Sequence, residues 1–229
     1  KLMKKVFFIF LISIGIFVQA QSIQIQGAYL TQKDDVHQLW LFVDGYSSLT
    51  QFKDNEFVSA MGGPYQIQNN QLLISLEFND KDSSEVGNQL VFPLKFNGDD
   101  FTDSEGNKWV KQNKSQDLDG AWEITGRKID GEMKEIHQRG ERKTLKLLVG
   151  GYFQWFAIDP SQKSFSGTGG GIYTFEGGKY TEKIQFFSRD NSRVGASLQF
   201  DGELKEGKWH HSGLSSKGDP IYEIWGRIN

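Results

Sequence analysis

Glu182 occupies a position that its neighbours reserve for an apolar side chain. Side chains alternate along a β-strand, so in Tyr180-Thr181-Glu182-Lys183-Ile184-Gln185-Phe186 the carboxylate shares a face with Tyr180, Ile184 and Phe186. A carboxylate on a buried face needs a partner or water, or it must take up a proton. Two readings follow: a polar contact for a ligand inside a pocket, or a residue at a barrel end bonded to Arg227 or to solvent. His211 is a second candidate, able to act as a hydrogen-bond partner or an acid–base group, and it shares a face with Trp209 while His210 points the other way. Glu223, Trp225 and Arg227 share a face by the same rule. Were Glu223 to meet Glu182, one pKa would rise and glycoside hydrolysis would come into view; a salt bridge from Glu223 to Arg227 or Arg127 is the structural alternative.

Other chemistry finds little support. The four histidines, His37, His137, His210 and His211, do not form a metal-ligand pattern, and the chain has no cysteine, so neither a metal nor a cofactor is expected. Glycine-rich phosphate loops and the serine-hydrolase elbow are absent despite 26 glycines.

The elements that position these residues come from a tandem duplication. Gly62-Gly63-Pro64-Tyr65-Gln66-Ile67 matches Gly170-Gly171-Ile172-Tyr173-Thr174-Phe175 at an offset of 108, which also carries Leu72, Ile74, Leu76 and Phe78 onto Tyr180, Glu182, Ile184 and Phe186. Glu182 has thus replaced Ile74. Both copies read as short alternating segments such as Leu39-Leu41-Val43 and Leu145-Leu147-Val149, punctuated by pairs including Asp44-Gly45, Asn97-Gly98, Asp130-Gly131 and Asp201-Gly202 that suit hairpin turns. The single helix candidate, Ile129 to His137, is short and interrupted by Gly131. The expected fold is all-β, with one barrel over 27–112, a polar linker over 113–119 and a second barrel over 120–229. Drifting offsets show that the second copy has gained 13 residues between its first two strands and 8 before its last, a change that enlarges one rim if both connections lie at the same end. After Leu-x-Leu-x-Val, the first copy continues Tyr46-Ser47-Ser48-Leu49-Thr50 and the second Tyr152-Phe153-Gln154-Trp155-Phe156, an aromatic cluster that reads either as cavity lining or as filler.

The second copy opens with Gly120-Ala121-Trp122 and closes with Glu223-Ile224-Trp225-Gly226-Arg227. A G-x-W on the first strand with an arginine on the last resembles the signature of lipocalins and their calycin relatives. The first copy carries the weaker Gly27-Ala28-Tyr29 and Trp109-Val110-Lys111. The resemblance implies antiparallel lipocalin-like barrels in which the arginine packs over the indole and closes one end, and a guanidinium on Trp adds cation–π attraction. The two-copy arrangement is similar to secreted lipocalin-like proteins of bacteria that have no assigned activity.

The opening segment has Lys4 and Lys5, an apolar run from Val6 to Val18 and a small residue at Ala20, as expected for a signal peptide over 1–20 rather than a membrane span. Cleavage there leaves 23 basic residues against 29 acidic ones, a balance that argues against nucleic acid. The expected protein is secreted or periplasmic and binds a small apolar or amphipathic ligand, lipid-like or aromatic, in the second barrel. The candidate contacts are Trp122, Tyr152, Gln154, Trp155, Tyr173, Tyr180, Glu182, His211, Glu223 and Arg227. An enzyme working in the same cavity, as a lyase, isomerase or hydrolase, and an adhesion module without a ligand are the alternatives.

Overall fold

A computed structural model describes residues 25–136, 142–215 and 218–228. The expected signal peptide and His137 lie outside these residues. The first sheet begins with β1 (Gly27–Lys33), β2 (Val36–Val43), β3 (Tyr46–Lys53) and the long β4 (Glu56–Gln68). It continues through β5 (Gln71–Ser75), β6 (Phe78–Asn79), β7 (Gln89–Pro93), β8 (Lys95–Asn97), β9 (Asp100–Thr102) and β10 (Lys108–Gln112). The second sheet holds β11 (Gly120–Ile129), β12 (Glu132–Glu135), β13 (Lys143–Val149), β14 (Tyr152–Asp159) and β15 (Ser164–Glu176). Its remaining strands are β16 (Lys179–Phe187), β17 (Ser197–Lys205), β18 (Lys208–Leu214) and β19 (Pro220–Arg227).

Both sheets are antiparallel meanders, and the fold is all-β with two barrels in tandem. In the second, β19 pairs back onto β11, closing an eight-stranded ring with β12 as an added flap on β11. The first is nearly closed: its sheet runs from β7 to β8, the two parts of one strand interrupted at Pro93-Leu94 where the second copy has the unbroken β17. Proline has no N–H to give to a ladder, which accounts for the interruption.

The duplicated Gly-Gly marks where the long strands β4 and β15 change partners. Opposite it, β16 carries a bulge, because Gly170 pairs with Phe186 but Gly171 pairs with Ile184. A Cβ on Gly171 would run into the Lys183 carbonyl, and one on Gly63 into the Ser75 carbonyl, so the backbones approach too closely for any other residue. The bulge reverses the alternation, and Phe186 does not share the interior face with Tyr180, Glu182 and Ile184 as expected. Phe186 packs instead on Phe52 of the first barrel, with ring centroids 5.1 Å apart.

Leu39-Leu41-Val43 and Leu145-Leu147-Val149 face each other between the barrels, where they join Phe78, Phe156 and Phe186 in one apolar cluster. Consequently β2 and β13 are buried on both faces. The interior of the first barrel is packed with Trp40, Phe42, Phe101 and Trp109 in ring contact. The helix candidate is a hairpin, with β11 ending at Ile129 and β12 beginning at Glu132. Asp201-Gly202 is not a turn but lies within β17, where Gly202 makes room for Phe175.

Because the largest apolar cluster belongs to both barrels, they should unfold together. Phe156→Ala is expected to cost about 3–5 kcal/mol and to shift one transition seen alike by tryptophan fluorescence and far-UV circular dichroism. Two separated transitions, with only one displaced, would show the barrels to be independent.

Candidate functional site

The second barrel has a closed end and an open end. At the closed end Arg227 lies 3.9 Å from the Trp122 ring centroid and donates from Nη1 to the Asp119 carbonyl at 2.7 Å. Gly120 allows this, since a Cβ there would occupy the space of the guanidinium. The connecting segment is docked rather than loose. Leu118 is fully buried, Gln116 bonds the backbone of Tyr173 and Phe175 on β15, and the Leu118 carbonyl accepts the Trp122 indole N–H. Asp44 of the first barrel accepts from the Ala121 N–H at 2.9 Å and lies 3.6 Å from Arg227.

At the other end a cavity of about 540 Å³ opens among β11, β13–β19 and their connections. Both insertions of the second copy are here, since Arg127 and Lys128 before the first and Ser215 and Asp219 around the second line its mouth. Trp155, Ala157, Ile184, Leu198 and Ile221 supply apolar wall. Two ion pairs run from the interior to the mouth. Lys146 and Glu182 meet at 2.9 Å, both side chains under a tenth exposed, and the Tyr180 hydroxyl donates to the same carboxylate oxygen at 2.8 Å. Arg127 and Glu223 meet at 2.6 Å. The other Glu223 oxygen lies 3.4 Å from His211 Nδ1 and accepts the Trp225 indole N–H at 3.2 Å. The Lys146 ammonium is 5.2 Å from the ring centroids of Tyr180, Trp209 and Trp225, which add cation–π attraction around the buried charge.

The structure divides the residues singled out from the sequence. Trp155, Glu182, His211 and Glu223 line the cavity together. Trp122, Tyr173 and Tyr180 form the packed layer beneath it, and Arg227 seals the closed end. Tyr152 and Gln154 are placed otherwise. Alternation along β14 turns Phe153 and Trp155 inward and sends Tyr152, Gln154 and Phe156 toward the first barrel, where Gln154 donates to Thr168 Oγ1 at 3.0 Å. Of the two salt bridges considered for Glu223, the one to Arg127 is formed. Among the described residues no three His, Cys, Asp or Glu side chains cluster as metal ligands.

Lys146 was not anticipated. The offset of 106 that relates Leu39 to Leu145 places Lys146 on Trp40, so the signal was present. Two interior residues of the first barrel, Trp40 and Ile74, have therefore become a lysine and a glutamate that pair with each other. A parallel exchange involves Asp103, which accepts from Asn107 and from the Trp109 indole in the first barrel, and Glu223, which meets His211 and accepts from the Trp225 indole in the second.

No known protein family matches the sequence, and no curated protein is similar to it. Among solved structures, an uncharacterised protein from Bacteroides eggerthii aligns over 48% of this chain and 99% of its own length, at 15% identity and a TM-score of 0.34. No helix among the described residues is long and apolar enough to cross a membrane.

Burial pushes the His211 imidazole below its ordinary value, and nearby Lys146 adds to this against the opposing pull of Glu223 and Glu182. Burial also works against the Glu223 charge, but the His211 bond together with Lys146 and Arg127 outweighs it and holds the carboxyl below the usual range. Glu223 is therefore ionised and His211 neutral near pH 7. Burial and the adjacent Glu182 raise the Tyr180 phenol well above its ordinary value.

Two outcomes are expected. Removing one partner of a buried ion pair strands the other, whereas replacing both with apolar groups is close to neutral. Lys146→Met and Glu182→Leu should each cost about 3–5 kcal/mol in urea unfolding, and the double variant should recover most of that loss; additive losses would mean that the two charges do not interact. The second outcome concerns pH. His211 has a lowered folded-state pKa, so its contribution is complete above about pH 6.5 and is lost as pH falls from there through the lower folded-state value, with Glu223 adding a further loss below about 4.5. The unfolding free energy should decline below pH 6.5, and His211→Asn should remove that first decline; an unchanged pH profile in the variant would show that His211 is solvated.

Proposed function

We propose that this chain is an exported, lipocalin-like binding protein whose second barrel takes a small amphipathic ligand, while the first is a filled scaffold. The observation that carries this reading is the paired exchange of Trp40 and Ile74 for Lys146 and Glu182. The same two interior positions hold apolar bulk in one barrel and, in the other, an ion pair facing a cavity. A buried ion pair adds little to stability compared with apolar packing, and a ligand site is the reason for it that the geometry supports. The cavity is large enough for a small molecule by ordinary standards. Its apolar wall at Trp155, Leu198 and Ile221 would hold the ligand's hydrophobic part, with Lys146, Glu182 and His211 around its polar end. The lipocalin-like reading draws support from the Gly120–Trp122–Arg227 closure, in which glycine, indole and guanidinium stack in order.

Trp155 and Trp225 line the cavity and Trp209 lies beside it, so occupancy should alter intrinsic fluorescence. Titration with long-chain alcohols, fatty acids, sterols, tetrapyrroles and oligosaccharides should give a saturable change with at least one class. Indifference to the whole panel would count against a ligand site.

A further inference from the structure

The buried charges of the cavity are paired with each other. Its lining contains three basic side chains, Arg127, Lys128 and Lys146, and three acidic ones, Glu182, Asp219 and Glu223. The buried cation, Lys146, is bonded to Glu182 at 2.9 Å, and at the mouth the half-exposed Arg127 is bonded to Glu223 at 2.6 Å. A carboxylate or phosphate reaching the depth of the cavity would have to displace Glu182 from Lys146, stranding it in an apolar interior, and a cationic ligand there would meet the converse obstacle. The site has no net charge to offer.

It offers an unmet acceptor instead. His211 is 2% exposed, and its Nε2 is buried without a hydrogen-bond partner. Nδ1 faces the Glu223 carboxylate, which accepts but cannot donate, so that nitrogen carries the proton and Nε2 presents its lone pair. The ring lies between Phe200 and Trp209, at 4.3 and 5.0 Å between centroids, and borders the cavity with Nε2 just beneath the lining, so that a donor reaches it with a shift of the ring or of a neighbouring side chain. A buried acceptor left unpaired costs about 1–3 kcal/mol, and a ligand donor would relieve that cost.

Resting on the binding reading above, we infer that the second barrel selects an uncharged amphipathic molecule carrying a hydroxyl or N–H group, which donates to His211 Nε2, over anions with the same hydrophobic part. The discrimination follows the general asymmetry of polar sites: one built to pair with a donor rejects the analogue that lacks it more strongly than an apolar wall rejects a change in shape. Glu223 acts here as a positioning residue, fixing the imidazole tautomer while remaining bound to Arg127 and the Trp225 indole.

Matched pairs test this without knowledge of the natural ligand. Decanol and decanoate, and phenylbutanol and phenylbutyrate, would be titrated into the full protein at neutral pH by calorimetry and intrinsic fluorescence. Each alcohol is expected to bind about tenfold or more tightly than its acid, and His211→Phe should reduce that ratio to near one. With histidine labelled by nitrogen-15, the Nε2 resonance of His211 should move on adding alcohol in the unaltered protein, a readout that does not depend on the variant folding. Equal or tighter binding of the acids, or an Nε2 signal unmoved by a bound alcohol, would overturn the inference while leaving a binding site in place. Failure of both members of each pair to bind, alongside an inert wider panel, would remove the binding reading itself and this inference with it.

Discussion

An ammonium and a carboxylate can persist among tryptophan and tyrosine rings only as a pair, and Lys146 and Glu182 are held to that condition by strands from different parts of the barrel. Neither charge is tolerable alone in that setting, because the loss of hydration is repaid only by their contact and by the bonds that complete it. Tyr180 supplies one such bond, and the surrounding rings supply a weaker attraction to the ammonium. A closed barrel suits this arrangement. Its backbone groups are satisfied around the ring, leaving the interior free for a polar network, whereas an open sheet would expose it.

The first barrel explains how the second remains stable with a partly open interior. Its strands β2, β3, β4 and β6 lay a second apolar surface against β13, β14 and β16, and the cluster between them contains Leu41, Phe52, Phe78, Leu147, Phe156 and Phe186. Part of the burial that a filled barrel would gain inside is gained here outside. Polar contacts fix the register of this interface: Lys143 reaches Glu77 at 2.8 Å, and Glu77 also accepts from Tyr46 at 2.7 Å. The segment joining the barrels completes the closed end through Leu118 and Asp119, which places the open end away from the junction.

Much of the fold could be read from the sequence because duplication supplied an internal comparison. Strand class, two copies and the foreign character of Glu182 followed from alternation and offset, and the Gly–Trp–Arg closure from the resemblance to lipocalins. The failures share one physical cause. Alternation identifies two faces but does not say which is interior, and in β2 and β13 both are buried. Leu145, Leu147 and Val149 face the first barrel, so the interior position of β13 belongs to Lys146, the partner of Glu182. The bulge opposite Gly170-Gly171 has the same effect on Phe186, since one extra residue exchanges the faces beyond it. Tyr152 and Gln154 were grouped with Trp155 by proximity in sequence, although neighbours along a strand point apart.

Converting the second interior into the first tests the account at its centre. The double variant Lys146→Trp/Glu182→Ile restores the side chains that fill the first barrel, and it can be titrated beside the unaltered protein with the neutral fluorophore N-phenylnaphthylamine. The account predicts a saturable rise in emission for the unaltered protein and none for a variant that retains its circular dichroism; equal binding by both would contradict it.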